Sequence, residues 1–420
     1  MKRVLFLSFL LSIALFDFAQ INPGINTSSW AGVSNVNWNP AIVDGRYKVD
    51  VSLGMINSGF TQNHLYLKEP KSIFKNTDFN GLFATGTAIT DKKDVTRRMW
   101  TDSDATFLTG GNVRSLNQWT QIEGPGSFMF PFGKGKNAIA VSWHYNNART
   151  LQMMPGDVSL TGTTATLNNT EAKWMDVGIT YSRVLLDKEQ HFVKAGLTVK
   201  PLIGLDITTL SMKDFSYTLT GNAITTSQTT LIAGHNQGLS GGFAGDFGFV
   251  YEWRPDKDKY KYDMDSSTGI LPRYKNTYKL SFGLSIIDMG ALFSNASSYS
   301  SQSLTGFNLF TTDSLANKLT GGVLSSRKVL LPTRFNVFLD YNIGKGFGLN
   351  LNASISEYFS QSNSQLAYGS YISLVPRFDL PMVGVYLPFS YNFTSMKPNL
   401  GLSMRAGPVW FGLSDIIGMA

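Results

Sequence analysis

Apolar residues recur at every second position in several long stretches of this chain, and this alternation constrains the fold more than any other feature. In 243–253, most odd positions carry bulky apolar residues such as Phe247 and Trp253, while the even positions carry small or charged residues such as Asp246. A period of two residues is characteristic of a β-strand, whose successive side chains point to opposite faces of the sheet. The same pattern occurs in 139–146, 175–182, 278–286, 335–343, 347–355 and 383–393. The sequence therefore predicts an all-β protein.

The length of these stretches and the residues between the apolar positions favour one of two β architectures. The runs span 8 to 11 residues, whereas strands of soluble sandwiches are usually shorter and tilted membrane-crossing strands need about 9 to 11 residues. The alternate positions are mostly Gly, Ser, Asn, Ala and Thr, as inside a barrel, and aromatic residues lie near the ends of the apolar face: Tyr145, Tyr181, Tyr251, Trp253, Tyr341 and Tyr391. We predict a transmembrane antiparallel β-barrel of about 14 strands, in a range of 12 to 16, and a soluble sandwich is the alternative.

The composition agrees with a barrel whose two faces differ. Only 15% of the residues are charged, 13% are aromatic, and the mean hydropathy is −0.05. The aromatic content excludes intrinsic disorder, and the lack of cysteine excludes disulfide scaffolds and cysteine-ligated metal sites. Lys and Arg are scattered without a basic run of five, so no nucleic-acid partner is expected.

The N-terminus predicts export. Lys2 and Arg3 precede an apolar stretch at 4–16, which is too short to span a bilayer, and a cleavage site follows Ala19. Residues 1–19 are therefore predicted to be a cleaved signal peptide. Residues 20–46 are rich in Asn, Gly and Ser, and we expect them to form a periplasmic segment or a plug inside the barrel formed by 47–420; a disordered leader is the alternative. The plug candidates are Trp30, Trp38, Asn39 and Pro40.

The connections between strands predict the asymmetry of an outer-membrane barrel. Short turns are expected at 133–136, 187–190, 344–346 and near 380, and long polar loops at 147–172, 206–238, 291–330 and 360–369. Short turns on one side and long loops on the other are typical of these barrels. The charged stretch 255–275 is an exception, because it is long yet falls on the side of the short turns. The chain ends in Ile417-Gly418-Met419-Ala420 without the usual terminal aromatic residue, which would fit a chain that stops before its last strand.

Several short motifs, taken in their order along the chain, resemble those of a known family. They are 39–41 with 44–48, 124–128, 181–185 with 191–196, 251–256, 284–290 and 402–408. Their order resembles a Bacteroidota outer-membrane β-barrel domain family of unassigned function. More distantly, the chain resembles the long-chain fatty acid transporters and the accessory barrels of type IX secretion. The resemblance implies a barrel in the outer membrane, and it supplies no catalytic residues and no cofactor.

The charges predicted to face inward are the strongest functional lead. By strand alternation, nine charged side chains are expected inside the barrel: Asp176, Lys194, Lys200, Asp246, Glu252, Arg254, Lys279, Arg334 and Asp340. Because unpaired buried charges are costly, an ion-pair network is expected there, or else a polar path. The four histidines show no ligand spacing, so no metal site is expected. Ser142 and His144 suggest an outer-membrane lipase, but they lie two residues apart on one strand with no organising partner in the sequence.

These features predict a non-enzymatic protein of the Gram-negative outer membrane that contacts outer-membrane lipid and binds or passes a small or hydrophobic solute. The alternative is a structural barrel of a secretion or gliding machine, with periplasmic or surface protein partners. A lipase-type enzyme is the third possibility. No cofactor is expected, and no catalytic residue is predicted.

Overall fold

The structure is a computed structural model. It describes residues 25–42 except 29 and 31, 49–62, 114–155 except 134, 161–270 except 221–222, 261 and 265–266, 277–307, 322–356, and 365–414 except 394–396 and 408. The predicted signal peptide (1–19) lies outside the described residues. Among the described residues, none of the helices is long and apolar enough to cross a membrane.

The described residues are mainly β-strands. Three short 3-10 turns lie at Gly32–Asn37, Pro40–Ile42 and Lys257–Tyr260. The strands are β1 Asp50–Val51, β2 Met55–Gln62, β3 Arg114–Glu123, β4 Phe128–Phe132, β5 Asn137–Pro155, β6 Thr161–Lys188, β7 His191–Thr220, β8 Ala223–Trp253, β9 Tyr262–Met264, β10 Ser267–Ile270, β11 Leu280–Phe307, β12 Val323–Leu330, β13 Arg334–Gly344, β14 Phe347–Ile355, β15 Tyr371–Asp379, β16 Val383–Tyr386, β17 Phe389–Asn392, β18 Lys397–Leu400, β19 Leu402–Ala406 and β20 Val409–Leu413.

Eighteen of these strands form one antiparallel sheet, and β9 and β10 form a separate hairpin. Three pairs of strands run end to end along one neighbour: β3 with β4 along β5, β12 with β13 along β11, and β16 with β17 along β15. Two further pairs run end to end along such a pair: β1 with β2 along β4 and β3, and β18 with β19 along β17 and β16. Within the described residues the sheet therefore has thirteen consecutive segments, from β1–β2 to β20. The all-β antiparallel prediction is confirmed. Hydrogen bonds between described residues do not close the sheet on itself, since β2 and β20 do not pair.

The short turns lie where the sequence predicts them. They join β4 to β5, β6 to β7, β13 to β14 and β15 to β16. In the β13–β14 turn, Gly344, Lys345 and Gly346 all have positive φ, of 118°, 54° and 87°. Glycine adopts the φ values found at 344 and 346 without steric cost, which explains the two glycines that flank Lys345 at this hairpin.

The long polar loops predicted at 147–172, 206–238 and 291–330 are largely wrong. The strands β6, β7, β8 and β11 contain 28, 30, 31 and 28 residues, and they continue as paired strands through most of these regions. For example, Thr208 of β7 pairs with His235 of β8, and Thr170 of β6 pairs with Thr209 of β7. Threonine favours strands, but polar residues on both faces remove the apolar alternation, so the pattern no longer reveals the strand. The predicted loop at 255–275 contains the β9–β10 hairpin.

The sheet exposes its apolar face and buries its polar face. In β14, the apolar Leu349 and Leu351 are 37% and 41% exposed, while Asn350 and Asn352 between them are 0% and 1% exposed. The same distribution recurs in β6, where Val177 and Ile179 are exposed and Asp176 and Thr180 are buried. We call the buried polar face, with the residues that lie against it, the interior. This distribution is the reverse of that expected for a sheet that exposes one face to water.

Candidate functional site

The motif Asn39-Pro40-Ala41 lies in the interior on a pair of facing glycines. Gly196 of β7 is paired directly with Gly248 of β8. A Cβ atom on Gly248 would lie 2.8 Å from Pro40 Cδ, and one on Gly196 would lie 2.7 Å from Ala41 N. Any larger residue at either position would collide with the motif. Gly196 and Gly248 therefore form a glycine seat that lets the N-terminal segment approach the backbone of the sheet.

Hydrogen bonds fix the motif on the glycine seat. The Asn39 Nδ2 atom donates to the carbonyl oxygens of Leu284 at 3.1 Å and Phe249 at 3.4 Å. Its Oδ1 atom accepts from the backbone N–H of Ala41 at 2.8 Å, which closes a local turn of the kind that Asn favours. Asn39 is 1% exposed. This residue thus holds the turn and also binds the turn to β8 and β11.

The neighbouring residue Trp38 is buried as well. Its carbonyl oxygen accepts hydrogen bonds from Ser285 Oγ at 2.6 Å and Asn336 Nδ2 at 3.1 Å. Its indole ring is 2% exposed and belongs to a buried apolar cluster that includes Trp119, Trp174, Leu202, Leu366 and Tyr368. Trp30, the other tryptophan of the segment, is half-buried.

The earlier part of the segment, residues 25–28, contacts the same buried face at β15 and β16. Ser28 Oγ donates to Asp379 at 2.7 Å, and Arg377 donates to the Thr27 carbonyl at 3.3 Å. Ile25 packs against Val375 and Tyr386. The described part of residues 25–42 therefore contacts strands from β1 to β16.

Four charged side chains form a balanced network beside this segment. Lys200 Nζ lies 2.8 Å from Asp246 Oδ2 and 2.8 Å from Asp288 Oδ1, and Arg334 lies 2.9 Å from Asp288 Oδ2. All four are at most 7% exposed. Arg334 also donates to the Asn37 carbonyl at 3.4 Å. Two cations and two carboxylates thus neutralise one another, as buried charges require, and bind the N-terminal segment to the sheet.

Asp288 is missing from the residues predicted to face inward, and a β-bulge explains why. The pairing of β11 with β8 shifts register between Ile286 and Met289, and Asp288 has a φ of 60°. Its backbone N–H donates to Asp246 Oδ1 at 2.8 Å. A bulge adds one residue and reverses the alternation of the strand, so a count of two along β11 places Asp288 on the wrong face. The adjacent apolar residues Ile286 and Ile287 break the alternation and could have indicated the bulge.

A second buried network involves His144, and its hydrogen bonds do not join His144 to Ser142. His144 Nδ1 lies 2.7 Å from Asp176 Oδ1, and its Nε2 lies 2.6 Å from Asn37 Nδ2 of the N-terminal segment. Asp176 also accepts from Asn146 at 2.7 Å. The Ser142 hydroxyl has no hydrogen-bond partner among the described residues. The imidazole is thus bonded to an amide and a carboxylate, whereas a nucleophile–base pair would join Ser142 to His144.

A third group of ion pairs lies on β13, β15 and β19. Asp340, one of the predicted residues, pairs with Arg377 at 2.5 Å and accepts a hydrogen bond from Tyr278. Arg405 pairs with Asp379 at 3.0 Å. Sequence reasoning missed Arg377, Asp379 and Arg405. Alternation in 371–379 could have identified Arg377, because Tyr371, Val375 and Arg377 are buried on one face while Ile372 and Leu374 are exposed on the other.

Four predicted charges remain: Lys194, Glu252, Arg254 and Lys279. Lys194 and Glu252 are 3% and 4% exposed. Arg254 pairs with Glu252 at 2.6 Å and stacks 3.6 Å above the Phe192 ring. Lys279 differs from the prediction, since its ammonium lies 4.7 Å from the ring of Tyr341, which is 43% exposed on the apolar face. Lys279 precedes the first residue of β11, where the strand no longer fixes the direction of its side chain.

In the part of the chain that the structure describes, no group of three or more His, Asp or Glu side chains could hold a metal ion. The buried charges bind one another and the N-terminal segment. The arrangement therefore fills and fixes the interior of the sheet.

A comparison with protein families places the chain. A family model described as a family of unknown function (DUF5723) matches residues 40–415, which is most of the sequence. The chain belongs to this family. The match begins at Pro40 of the motif on the glycine seat and ends beyond β20, so it includes the whole described sheet and leaves out the described residues before Pro40. The resemblance to a domain family of unassigned function is confirmed at that level. No curated protein and no solved structure matches the chain.

Proposed function

We propose that this DUF5723 protein is a β-barrel of the outer membrane of a Gram-negative cell, closed by residues 25–42, which binds or passes a small or hydrophobic solute. One observation carries the proposal: the sheet exposes apolar side chains and buries amides, hydroxyls and charges. Soluble monomers rarely expose large contiguous apolar surfaces. In a bilayer this distribution is favourable, since lipid covers the apolar side chains and the polar ones face a lumen.

Aromatic residues at one end of the exposed face support the membrane proposal. Tyr181 donates from its hydroxyl to Asn137 Oδ1 at 2.7 Å, and Trp253 donates from Nε1 to Gln190 Oε1 at 3.2 Å. Gln190 and Asn137 lie at the short-turn end of the sheet. Each ring thus covers apolar surface while its polar atom contacts a polar turn, as aromatic side chains do at a membrane–water interface.

A charge introduced into the apolar face tests the membrane proposal. Ile179 is 55% exposed and lies in register with Val199, Gly245 and Met289 across the sheet. In a bilayer, Ile179→Lys is expected to cost about 2–4 kcal/mol, the value for a lysine near the midplane of a membrane barrel. The measurement is the midpoint temperature at which the folded, fast-migrating band on an unheated detergent gel converts to the unfolded band, after refolding into lipid vesicles.

Val323 provides the matched control. It is 72% exposed and pairs with Ser298, nine residues beyond Met289 on β11 and thus about 30 Å farther along the strands. Val323→Lys is expected to leave the midpoint unchanged. A soluble protein would tolerate both substitutions equally, so equal midpoints for the two variants would contradict the membrane proposal.

The filled interior also favours a second candidate, a structural or accessory barrel that passes no solute. Residues 25–42 are held by hydrogen bonds to at least five strands, as a permanent filling would be. Conductance across planar lipid bilayers separates the two candidates. For a solute-passing barrel, the variant that lacks 20–42 is expected to open more often than the full chain. If neither protein opens, and no opening follows when the other interior segments are also released, the accessory role replaces solute passage.

A further inference from the structure

We infer that residues 365–370, here called the strap, form a second closure of the interior that holds when the N-terminal segment is displaced. This inference rests on the proposed function, since it concerns how the same interior opens. The sequence predicted a surface loop at 360–369. Its described part instead lies buried at every position from Gln365 to Ser370.

Backbone and hydroxyl contacts fix one side of the strap. Leu366 N–H donates to the Leu330 carbonyl at 3.0 Å, and Gln365 forms a parallel bridge with Leu330. Tyr368 N–H donates to Ser356 Oγ at 3.1 Å, and Ser356 N–H donates to Ser370 Oγ at 3.0 Å. The strap is therefore bound to the last residue of β12, Leu330, and to Ser356, which directly follows β14.

The other side of the strap reaches the first segments of the sheet. Ala367 N–H donates to Thr150 Oγ1 of β5 at 2.7 Å, although the two residues are 217 positions apart. The Tyr368 ring meets the Trp119 ring of β3 edge-on, at 5.1 Å between centroids. A Cβ atom on Gly369 would lie 2.6 Å from Thr61 Cγ2 of β2. The strap thus crosses the interior from β12 and β14, in the eighth and ninth segments, to the first three segments.

The strap and the N-terminal segment meet at Arg334 but are held separately. The Arg334 guanidinium lies 4.8 Å from the Tyr368 ring and donates to the Asn37 carbonyl at 3.4 Å. Trp38 shares the apolar cluster with Leu366 and Tyr368. The strap's hydrogen bonds to Thr150, Leu330 and Ser356 involve no residue of 25–42. Displacing the N-terminal segment therefore leaves those bonds intact, so the chain lacking 20–42 opens only during the intervals in which the strap moves aside.

A disulfide between the strap and β5 tests this inference. Because the sequence contains no cysteine, only the introduced thiols can form a disulfide. The double variant Thr150→Cys/Ala367→Cys is expected to cross-link on oxidation in the membrane, because Thr150 Oγ1 contacts the backbone of Ala367. Mass spectrometry of peptides from the folded protein detects the bond. The control pair Ile179→Cys/Ala367→Cys places one thiol on the exposed face and should not cross-link. Failure of the first pair to cross-link in folded protein would overturn the inference.

Conductance of the same pair in the chain lacking 20–42 gives the second readout. Oxidation is expected to lower the mean conductance at least ten-fold, and reduction is expected to restore it. Unlocking the strap with Leu366→Ala/Tyr368→Ala should raise the conductance at least ten-fold above that of the deletion alone. If neither oxidation of the cysteine pair nor Leu366→Ala/Tyr368→Ala alters the conductance, the strap's role is overturned while solute passage stands. If the pair cross-links but no variant conducts, solute passage itself is wrong, and the gating role of the strap falls with it.

Discussion

Replacing Gly248 with leucine is expected to expel the N-terminal segment from the interior. The new Cβ atom would lie 3.0 Å from Asn39 Cγ and 2.8 Å from Pro40 Cδ, and the rest of the leucine side chain would occupy the space of the motif. Because the neighbouring atoms belong to a proline ring and to a doubly hydrogen-bonded asparagine, they cannot move aside cheaply. A cysteine introduced at Val36, which is 1% exposed, reports the change. Its labelling by a membrane-impermeant maleimide is expected to become at least ten-fold faster.

Gly241 on the same strand offers a matched control. No described atom lies within 4 Å of a Cβ built on Gly241, and this residue is exposed. Gly241→Leu is therefore expected to leave the labelling rate of the Val36→Cys reporter unchanged. Both variants must first show the fast-migrating folded band, so that expulsion is distinguished from unfolding. Equal labelling rates in two folded variants would mean that Gly248 does not hold the motif in place.

Removing the Arg334 side chain is expected to be the most destabilising single change in the buried network. Arg334→Met leaves the buried Asp288 with Lys200 alone, and Lys200 already pairs with Asp246. Removing one partner of a buried ion pair lowers the free energy of unfolding by roughly 3–5 kcal/mol, because the other charge stays buried without compensation. The midpoint temperature of gel-shift unfolding is therefore expected to fall markedly. Lys328→Met, at an exposed position on β12, is the control and should not change the midpoint.

A second substitution distinguishes lost charge compensation from lost packing. In Arg334→Met/Asp288→Asn, the remaining ions are Lys200 and Asp246, which form a complete pair at 2.8 Å. Most of the stability lost in Arg334→Met is therefore expected to return in the double variant. If Asp288→Asn lowers the midpoint further, Arg334 stabilises the fold through its packing on Tyr368 and its bond to Asn37, and the charge balance is secondary.

The buried charges that lie on regularly alternating strands could be predicted from the sequence. Asp246 and Arg334 lie on stretches of strand without a break in alternation, so counting by two from the exposed Phe247 and Leu339 places both on the buried face. Asp288 was not accessible in this way, because the bulge in β11 reverses the count between Ile286 and Met289. The extended polar strands were missed for a related reason. When both faces are polar, the side chains carry no periodic signal, although the backbone pairing continues.

Pairings between distant residues could not be predicted at all. Asp176 was expected inside, but its partner His144 depends on the register of β5 against β6. The strap has no periodic pattern, and its bond to Thr150 joins residues 217 positions apart. Such contacts depend on which strands become neighbours and on how far each is shifted along the other, and a single sequence does not specify either quantity.

The sequence by itself determined the alternating parts of the strands, their two chemically different faces and the short turns, because side-chain alternation and glycine conformation are local properties of the chain. Only the tertiary structure decided that the polar face is buried, that its charges pair across strands, and that Asn39, Pro40 and Ala41 rest on two glycines more than 150 residues later in the chain. The physical reason is that burial and charge compensation belong to groups brought together from distant positions. Their energies exist only once the sheet has assembled around them.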